Sequence, residues 1–387
     1  MYKKSLLIIT SYTKNAQYLN EFTKHIQLLN PELCIELFNP FSLQLYSYKE
    51  YQFVNEKSIL LFKWLRIFLQ VKIIRSIFSH LYGCLFFSFS SRKYSTVCFH
   101  VASPYNAALI NALNKISDFT ISVVWGSDFY RANKYLNYLS KYFFRRVNRV
   151  LVGTHESAKL VLDRYPFLNN RIDAINFGNE KLTKSITDFT KHKTDNKERK
   201  LVNKESLDDI VITIGYNNKA EHQHLKVIEE INELPSTIKS NLTLLVPLTY
   251  PSNNLYKKSI IDSLERYNFD YVVVDEFLNN EELIQLRLIS DIFINMQTTD
   301  MFSASVMEYM AMENVVLNAK WLPYSYIDKS KIYAHKVNWS NLKDKLIYVI
   351  RNLDEEKART ISNKSKIIKL IDWNELAPLW SEYLKLD

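Results

Sequence analysis

The chain has 387 residues, enough for two domains of ordinary size, and its 47% hydrophobic and 24% charged residues exclude wholesale disorder. Only five residues are glycine, and no two lie close enough for a G-x-G-x-x-G or G-x-x-x-x-G-K-[ST] phosphate loop, which excludes ordinary dinucleotide dehydrogenases and P-loop NTPases. The net charge of +9 is uneven: residues 1–180 carry +11 and residues 181–387 carry −2, so the first half suits a polyanionic partner, whether nucleic acid, anionic membrane or phosphorylated lipid.

The N-terminus, MYKKSLLIIT, has an apolar run too short for a signal peptide. It reads as a first buried strand over 6–10. Similar β-branched runs follow at 34–38, 96–101, 120–125, 149–152 and 173–176, separated by segments of helical length. Near-continuous apolar strands alternating with helices predict a parallel sheet covered on both faces.

Residues 57–93 are the most apolar stretch, yet Lys63, Arg66, Lys72 and Arg75 interrupt it. No segment supplies the ~20 apolar residues of a membrane span. Residues 57–117 hold eight basic side chains and no acid. That composition fits a basic interfacial helix facing an anionic membrane, or a core helix with a solvated basic face. Cys34, Cys84 and Cys98 form no C-x-x-C pair and no disulfide framework, which fits a reducing cytosol.

His100 ends the run 96–101, where it is either a site residue or a buried core histidine. Asp128 follows the run 120–125 and Gly126. A strand's carboxyl end suits a base or an acceptor contact, and equally a helix cap. Residues 181–209 are polar and rich in both charge signs, and read as a linker.

The second half repeats the pattern at 210–214, 242–246, 271–274, 291–294 and 314–317. The fold class is therefore α/β, with two doubly wound parallel-sheet domains and a cleft between them. Their expected extents are 1–180 and 210–370, with a last helix over 371–387 returning to the first. Four glycines, Gly126, Gly153, Gly178 and Gly215, follow predicted strands, where ligands bind in such sheets.

The most informative stretch is TDMFSASVMEYMAMENVVL, residues 299–317. Ser303 or Ser305 can cap a helix that begins here. Asp300 then lies in the loop before it and Glu308 within its first two turns. The helix start offers free N–H groups to an anion. One carboxylate can meet a sugar and the other a ribose, with a diphosphate between them on the amides around Ser303, Ala304 and Ser305.

This stretch resembles the E-x7-E region of retaining GT-B glycosyltransferases of the family 4 type, E-G-F-G-x-x-x-x-E-A-M-A-x-G-x-P-V-V. Asp300 stands for the first Glu, Phe302 for Phe, Ser303 for the second Gly, Glu308 for the second Glu and Met310-Ala311 for Met-Ala. Three family glycines are Met301, Ser303 and Glu313 here. Gly215 and Lys219 resemble the G-R-x-x-x-x-K loop that holds the donor diphosphate, with Tyr216 at the Arg position. The segment around Phe277 resembles the one whose backbone reads the base. His100 resembles the family's N-domain histidine. The strings 124–130 and 247–250, the latter ending in Tyr250, are similar to the 4-acetamido-4,6-dideoxygalactose transferases of enterobacterial common antigen synthesis.

The resemblance implies a metal-independent, retaining transfer of sugar from a nucleotide diphosphate donor to a lipid-linked saccharide. It implies a place at the cytoplasmic face of the inner membrane in surface polysaccharide synthesis. Asp128, His100 and Asp300 are the expected catalytic group, and Gly215, Lys219, Tyr250, Phe277, Ser303, Ala304, Ser305 and Glu308 the donor site. No D-x-D occurs, so no metal is expected, and no cofactor. A nucleotide-sugar epimerase of the same shape is the first alternative. A basic nucleic-acid-binding protein is the second, although no RNP-like or helix-turn-helix pattern supports it.

Overall fold

The computed structural model describes residues 4–10, 17–40, 44–50, 52–58, 72–125, 129, 136–194, 210–300 and 303–386. The chain divides into two compact units, Met1–Glu180 with Ile371–Asp387, and Lys181–Leu370.

The first unit is built on eight strands: β1 (Ser5–Ile9), β2 (Cys34–Asn39), β3 (Gln44–Lys49), β4 (Gln52–Ser58), β5 (Tyr94–Phe99), β6 (Ser117–Val124), β7 (Arg149–Val152) and β8 (Ile172–Ala174). Their order is β4-β3-β2-β1-β5-β6-β7-β8. From β2 to β8 every pairing is parallel. Leu7 and Ile9 join one core cluster and Leu6 and Ile8 the other, so alternate side chains bury both faces of the sheet. Trp373, Leu376, Ala377 and Trp380 of the last helix, Trp373–Tyr383, complete the second cluster. Gly178 permits this, because a Cβ there would lie 2.3 Å from the Trp373 ring.

The sheet departs from the expected all-parallel form at one edge, where β2-β3 and β3-β4 are antiparallel. These edge strands follow short connections, which join antiparallel neighbours readily and parallel ones never.

The second unit has six strands: β9 (Ile210–Ile214), β10 (Leu242–Pro247), β11 (Asp270–Val274), β12 (Ile292–Asn295), β13 (Val315–Ala319) and β14 (His335–Val337). Their order is β11-β10-β9-β12-β13-β14, all parallel. The chain runs outward from β9 to β11, then crosses back to place β12 on β9's other side. This reversal opens a crevice beyond the carboxyl ends of β9 and β12.

One further expectation is corrected. Residues 181–209 are not a linker throughout, because a helix spans Glu180–Thr194 and buries Leu182 and Ile186 one turn apart. The segment after Lys219 is not one continuous helix. A short 3₁₀ turn, Ala220–His222, precedes Gln223 at φ 58°, and the α-helix is His224–Asn232.

Candidate functional site

The crevice of the second unit collects most of the expected donor residues. Gly215 follows β9 with φ +63°, a left-handed backbone that favours glycine. A Cβ there would lie 2.7 Å from His224 Nε2 and 3.1 Å from His222. The loop Gly215–Lys219 therefore turns tightly over two buried imidazoles. Burial lowers the pKa of His222 to about 2, helped by His224 and Lys219, and that of His224 to about 3. Both rings are neutral at physiological pH. Among the described residues neither ring nitrogen of His222 has a hydrogen-bond partner, whereas Nδ1 of His224 lies 3.2 Å from the Tyr256 hydroxyl.

The loop is held from two sides. The Asn218 N–H donates to the Tyr250 carbonyl at 2.7 Å, tying it to the segment after β10. The Lys219 N–H donates to Asn217 Oδ1 at 3.1 Å. Lys219 is half-buried, and among the described residues no acid takes its ammonium in an ion pair.

Across the crevice, the segment after β12 forms a polar cluster. Gln297 Nε2 donates to Asn295 Oδ1 at 3.1 Å, to the Tyr216 hydroxyl at 3.2 Å and to Asp300 Oδ2 at 3.4 Å. The buried Tyr324 hydroxyl donates to Asp300 and accepts from the Ser303 N–H at 3.3 Å. Burial, then the Asp300 carboxylate, pushes both Tyr216 and Tyr324 upward, so both remain protonated donors. Trp321 Nε1 donates to the Gln297 carbonyl at 2.7 Å.

Ser303 is the N-cap of the helix Ala304–Ala311, but its side chain makes no capping hydrogen bond to the first amides. Those N–H groups keep their capacity for an anion. Ser303, Ala304 and Ser305 are all half-buried at this end. Glu308 lies one turn in, and its Oε2 accepts from Arg287 Nη2 at 3.1 Å. Arg287 comes from the helix Asn280–Leu288, which a full capping box at Asn279 and Glu282 starts.

The structure thus brings Gly215, Lys219, Asp300, Ser303, Ala304, Ser305 and Glu308 to the ends of adjacent strands and the helix that follows. Tyr250 is 45% exposed beyond β10, and Phe277 is 84% exposed beyond β11, toward the sheet's far edge. Arg287, Gln297 and Tyr324 carry no motif and were not expected.

In the first unit, His100 follows β5 beside β1, at that sheet's own reversal point. It is wholly buried, 5.1 Å from Trp125, 5.5 Å from Phe177 and 5.6 Å from Phe22 between ring centroids. Burial lowers its pKa to about 3. Neither of its ring nitrogens has a hydrogen-bond partner among the described residues. Asp128, Lys63 and Arg66 lie outside the described residues. Lys72 and Arg75 lie on the helix Lys72–Ser88, where the backbone alone is described. From Ile77 onward that helix exposes Ile77, Leu81 and Leu85, so its outer face is apolar rather than basic. Among the described residues no helix is long and apolar enough to cross a membrane.

No family model and no curated protein matches this chain. Solved structures do match, over essentially the full length. A glycosyltransferase from Rickettsia africae shares 12% identity with a TM-score of 0.64, covering 100% of this chain and 99% of its own. HepE of Anabaena, solved with UDP, shares 11% at 0.64, covering 99% and 100%. Sucrose-phosphate synthase of Thermosynechococcus elongatus shares 10% at 0.69, covering 99% and 98%. The fold is GT-B: two α/β units of the architecture shared by these glycosyltransferases.

Proposed function

We propose that this protein is a glycosyltransferase using a nucleotide diphosphate sugar bound in the crevice of the second unit. The observation that carries the reading is the convergence of Lys219, Asp300, the uncapped helix start at Ser303 and Glu308 at the reversal point between β9 and β12. A solved structure of HepE contains UDP and another UDP-glucose, and their shared fold supports a donor of that class here.

In this reading Glu308 accepts hydrogen bonds from ribose hydroxyls, held in place by Arg287. The diphosphate lies on the amides of Ser303, Ala304 and Ser305, with Lys219 on the opposite side. Asp300, positioned by Tyr324 and Gln297, meets the sugar. The bond from the anomeric carbon to the distal phosphate breaks, and its electron pair leaves on phosphate oxygen. Lys219 and the helix start stabilise that charge where it develops, without a metal ion. An acceptor hydroxyl forms the new bond with retention of configuration, and Asp128 is the candidate to take its proton. His100 would position that region through packing.

The acceptor in this proposal is a lipid-linked saccharide of surface polysaccharide synthesis, met by a protein resting on the inner membrane's cytoplasmic face. The basic composition of residues 57–117 supports it. The narrower likeness to the 4-acetamido-4,6-dideoxygalactose transferases suggests a deoxyamino sugar as the donor's glycosyl group.

The test is thermal unfolding with a panel of nucleoside diphosphates and their sugars. Ligand at 100 times its Kd adds about 2.7 kcal/mol to stability. One base should stabilise the protein, and its sugar conjugate should release nucleoside diphosphate when a lipid-linked acceptor is added. Stabilisation by no member of the panel overturns the reading.

A further inference from the structure

The first unit contains a cavity of about 510 Å³ far from any residue of the donor site in sequence. Its wall includes Ile77 and Leu81 of the helix Lys72–Ser88, Pro104 and Ala108 of the 3₁₀ turn Pro104–Ala108, and Leu139 and Tyr142 of the helix Asn137–Phe144. The 3₁₀ turn follows β5 closely, so the cavity lies toward the carboxyl ends of that sheet. Its volume is that of a small-molecule site. Its described lining holds no Asp, Glu, Lys or Arg.

Two observations name the occupant. First, the cavity continues into an apolar stripe. Ile77, Leu81 and Leu85 recur every four residues on the exposed face of their helix, and Phe89, 88% exposed, extends the line. Contiguous exposed apolar surface of this kind marks contact with a protein or a membrane. Second, a cation stands beside it. The exposed Arg146 guanidinium lies 3.5 Å over the ring of Tyr142, a wall residue, and the stretches that carry the described lining, residues 77–108 and 136–142, contain no acid. An apolar slot with a cation at its rim complements an amphiphile with a long chain and an anionic head.

We propose that this cavity holds one hydrocarbon chain of the phosphorylated acceptor lipid, with the phosphate toward Arg146. The proposal rests on the transferase reading for the lipid's role and on the first unit alone for the site. It gives the protein a lipid grip distinct from charge attraction to a membrane. The stripe Ile77–Leu81–Leu85 would lie against the acyl region while the slot takes a chain out of it.

The experiment measures binding of hexyl, octyl and decyl phosphate, each below its micelle concentration, by calorimetry. Affinity should rise about fourfold for each CH₂ buried. Ala108→Trp fills the slot and should abolish this dependence on chain length. Leu81→Gln, at an exposed wall position that folding tolerates, should reduce it. Arg146→Gln should weaken all three ligands by a similar factor. Affinity independent of chain length in the wild type overturns the proposal, as does an unchanged dependence in Leu81→Gln and a folded Ala108→Trp. Titrating the nucleoside diphosphate panel on the same preparation separates the two readings. Binding of some member of the nucleoside diphosphate panel without chain-length dependence sinks the cavity proposal alone, and chain-length dependence with no member of the panel bound sinks the transferase reading alone.

Discussion

Arg287 and Glu308, 21 residues apart on different helices, form an ion pair of 3.1 Å in which Arg287 is the more buried partner, its side chain 4% exposed against 22% for Glu308. Arg287 is also fixed by Nη1 donating to the Tyr309 hydroxyl at 3.2 Å, with its guanidinium 4.3 Å over that ring. Glu308 therefore neutralises a buried cation, and in the proposed reading it also meets the ribose. Glu308→Ala would confuse the two roles, since it leaves Arg287 uncompensated at a cost of about 3 kcal/mol of stability. Glu308→Gln retains an acceptor for Arg287. It should leave the protein folded and weaken nucleotide-sugar binding roughly 10- to 100-fold, from about 1–3 kcal/mol of poorly matched ribose hydroxyls. Calorimetry with wild-type affinity in a folded Glu308→Gln protein removes Glu308 from the donor site.

Lys219 should read the diphosphate. A charge-assisted hydrogen bond contributes about 1.5–3 kcal/mol. Lys219→Ala is expected to weaken nucleoside diphosphate roughly 10- to 100-fold while nucleoside monophosphate changes little. Equal losses for the two ligands would place its ammonium away from the distal phosphate.

Gly215 should tolerate no side chain. Gly215→Ala forces a left-handed residue, about 1–2 kcal/mol, and sets a Cβ 2.7 Å from His224 Nε2. The expected result is a fall of several degrees in melting temperature together with weaker donor binding. An unchanged melting temperature would show that the loop relaxes without cost.

The buried histidines set an acid limit. His222 and His224 have folded pKa values of about 2 and 3, and His100 about 3, all below the ordinary 6.5. The unfolded chain thus binds more protons, so their stabilisation is full above pH 6.5 and is lost as pH falls toward 3. The loss approaches about 1.4 kcal/mol per pH unit for each ring. Urea titrations between pH 7 and 5 should show falling stability, and His222→Gln should flatten the slope. Stability constant over that range would mean that these rings gain no protons on unfolding.

The basic segment makes a separate prediction. The protein should sediment with anionic vesicles at low salt, and replacing Lys63, Arg66, Lys72 and Arg75 by Gln should release most of it. Each basic group near such a surface contributes about 1 kcal/mol, which salt screens. A wild-type protein that stays in the supernatant at low salt leaves the membrane role without support.

Eleven strands of the two parallel cores are read directly from the chain, with ends moved by up to three residues. A strand buried on both faces must be apolar throughout, so its sequence announces it. β3 and β4 do not announce themselves, because their edge segments, QLYSYK and QFVNEKS, mix polar and apolar residues. β14 has three residues and only one of them is buried. What made these segments strands is the neighbour each one pairs with, which no local pattern records.

The candidate site divides in the same way. Gly215, Lys219, Asp300, Ser303 and Glu308 were legible because each belongs to a strand-end or helix-start pattern contiguous in sequence. Arg287, Gln297 and Tyr324 were not. Their roles exist only because folding brings Arg287 to Glu308, Gln297 to Tyr216 and Tyr324 to Asp300. The last helix shows the same limit, for its sequence gives it an apolar face, while Gly178 lets Trp373 approach and so decides where that face packs. Local sequence determined which segments are strands and helices and which ends can bind an anion. Tertiary packing decided which charges are paired, which imidazoles are kept neutral and which apolar face stays open, because burial and pairing are properties of the assembled surface.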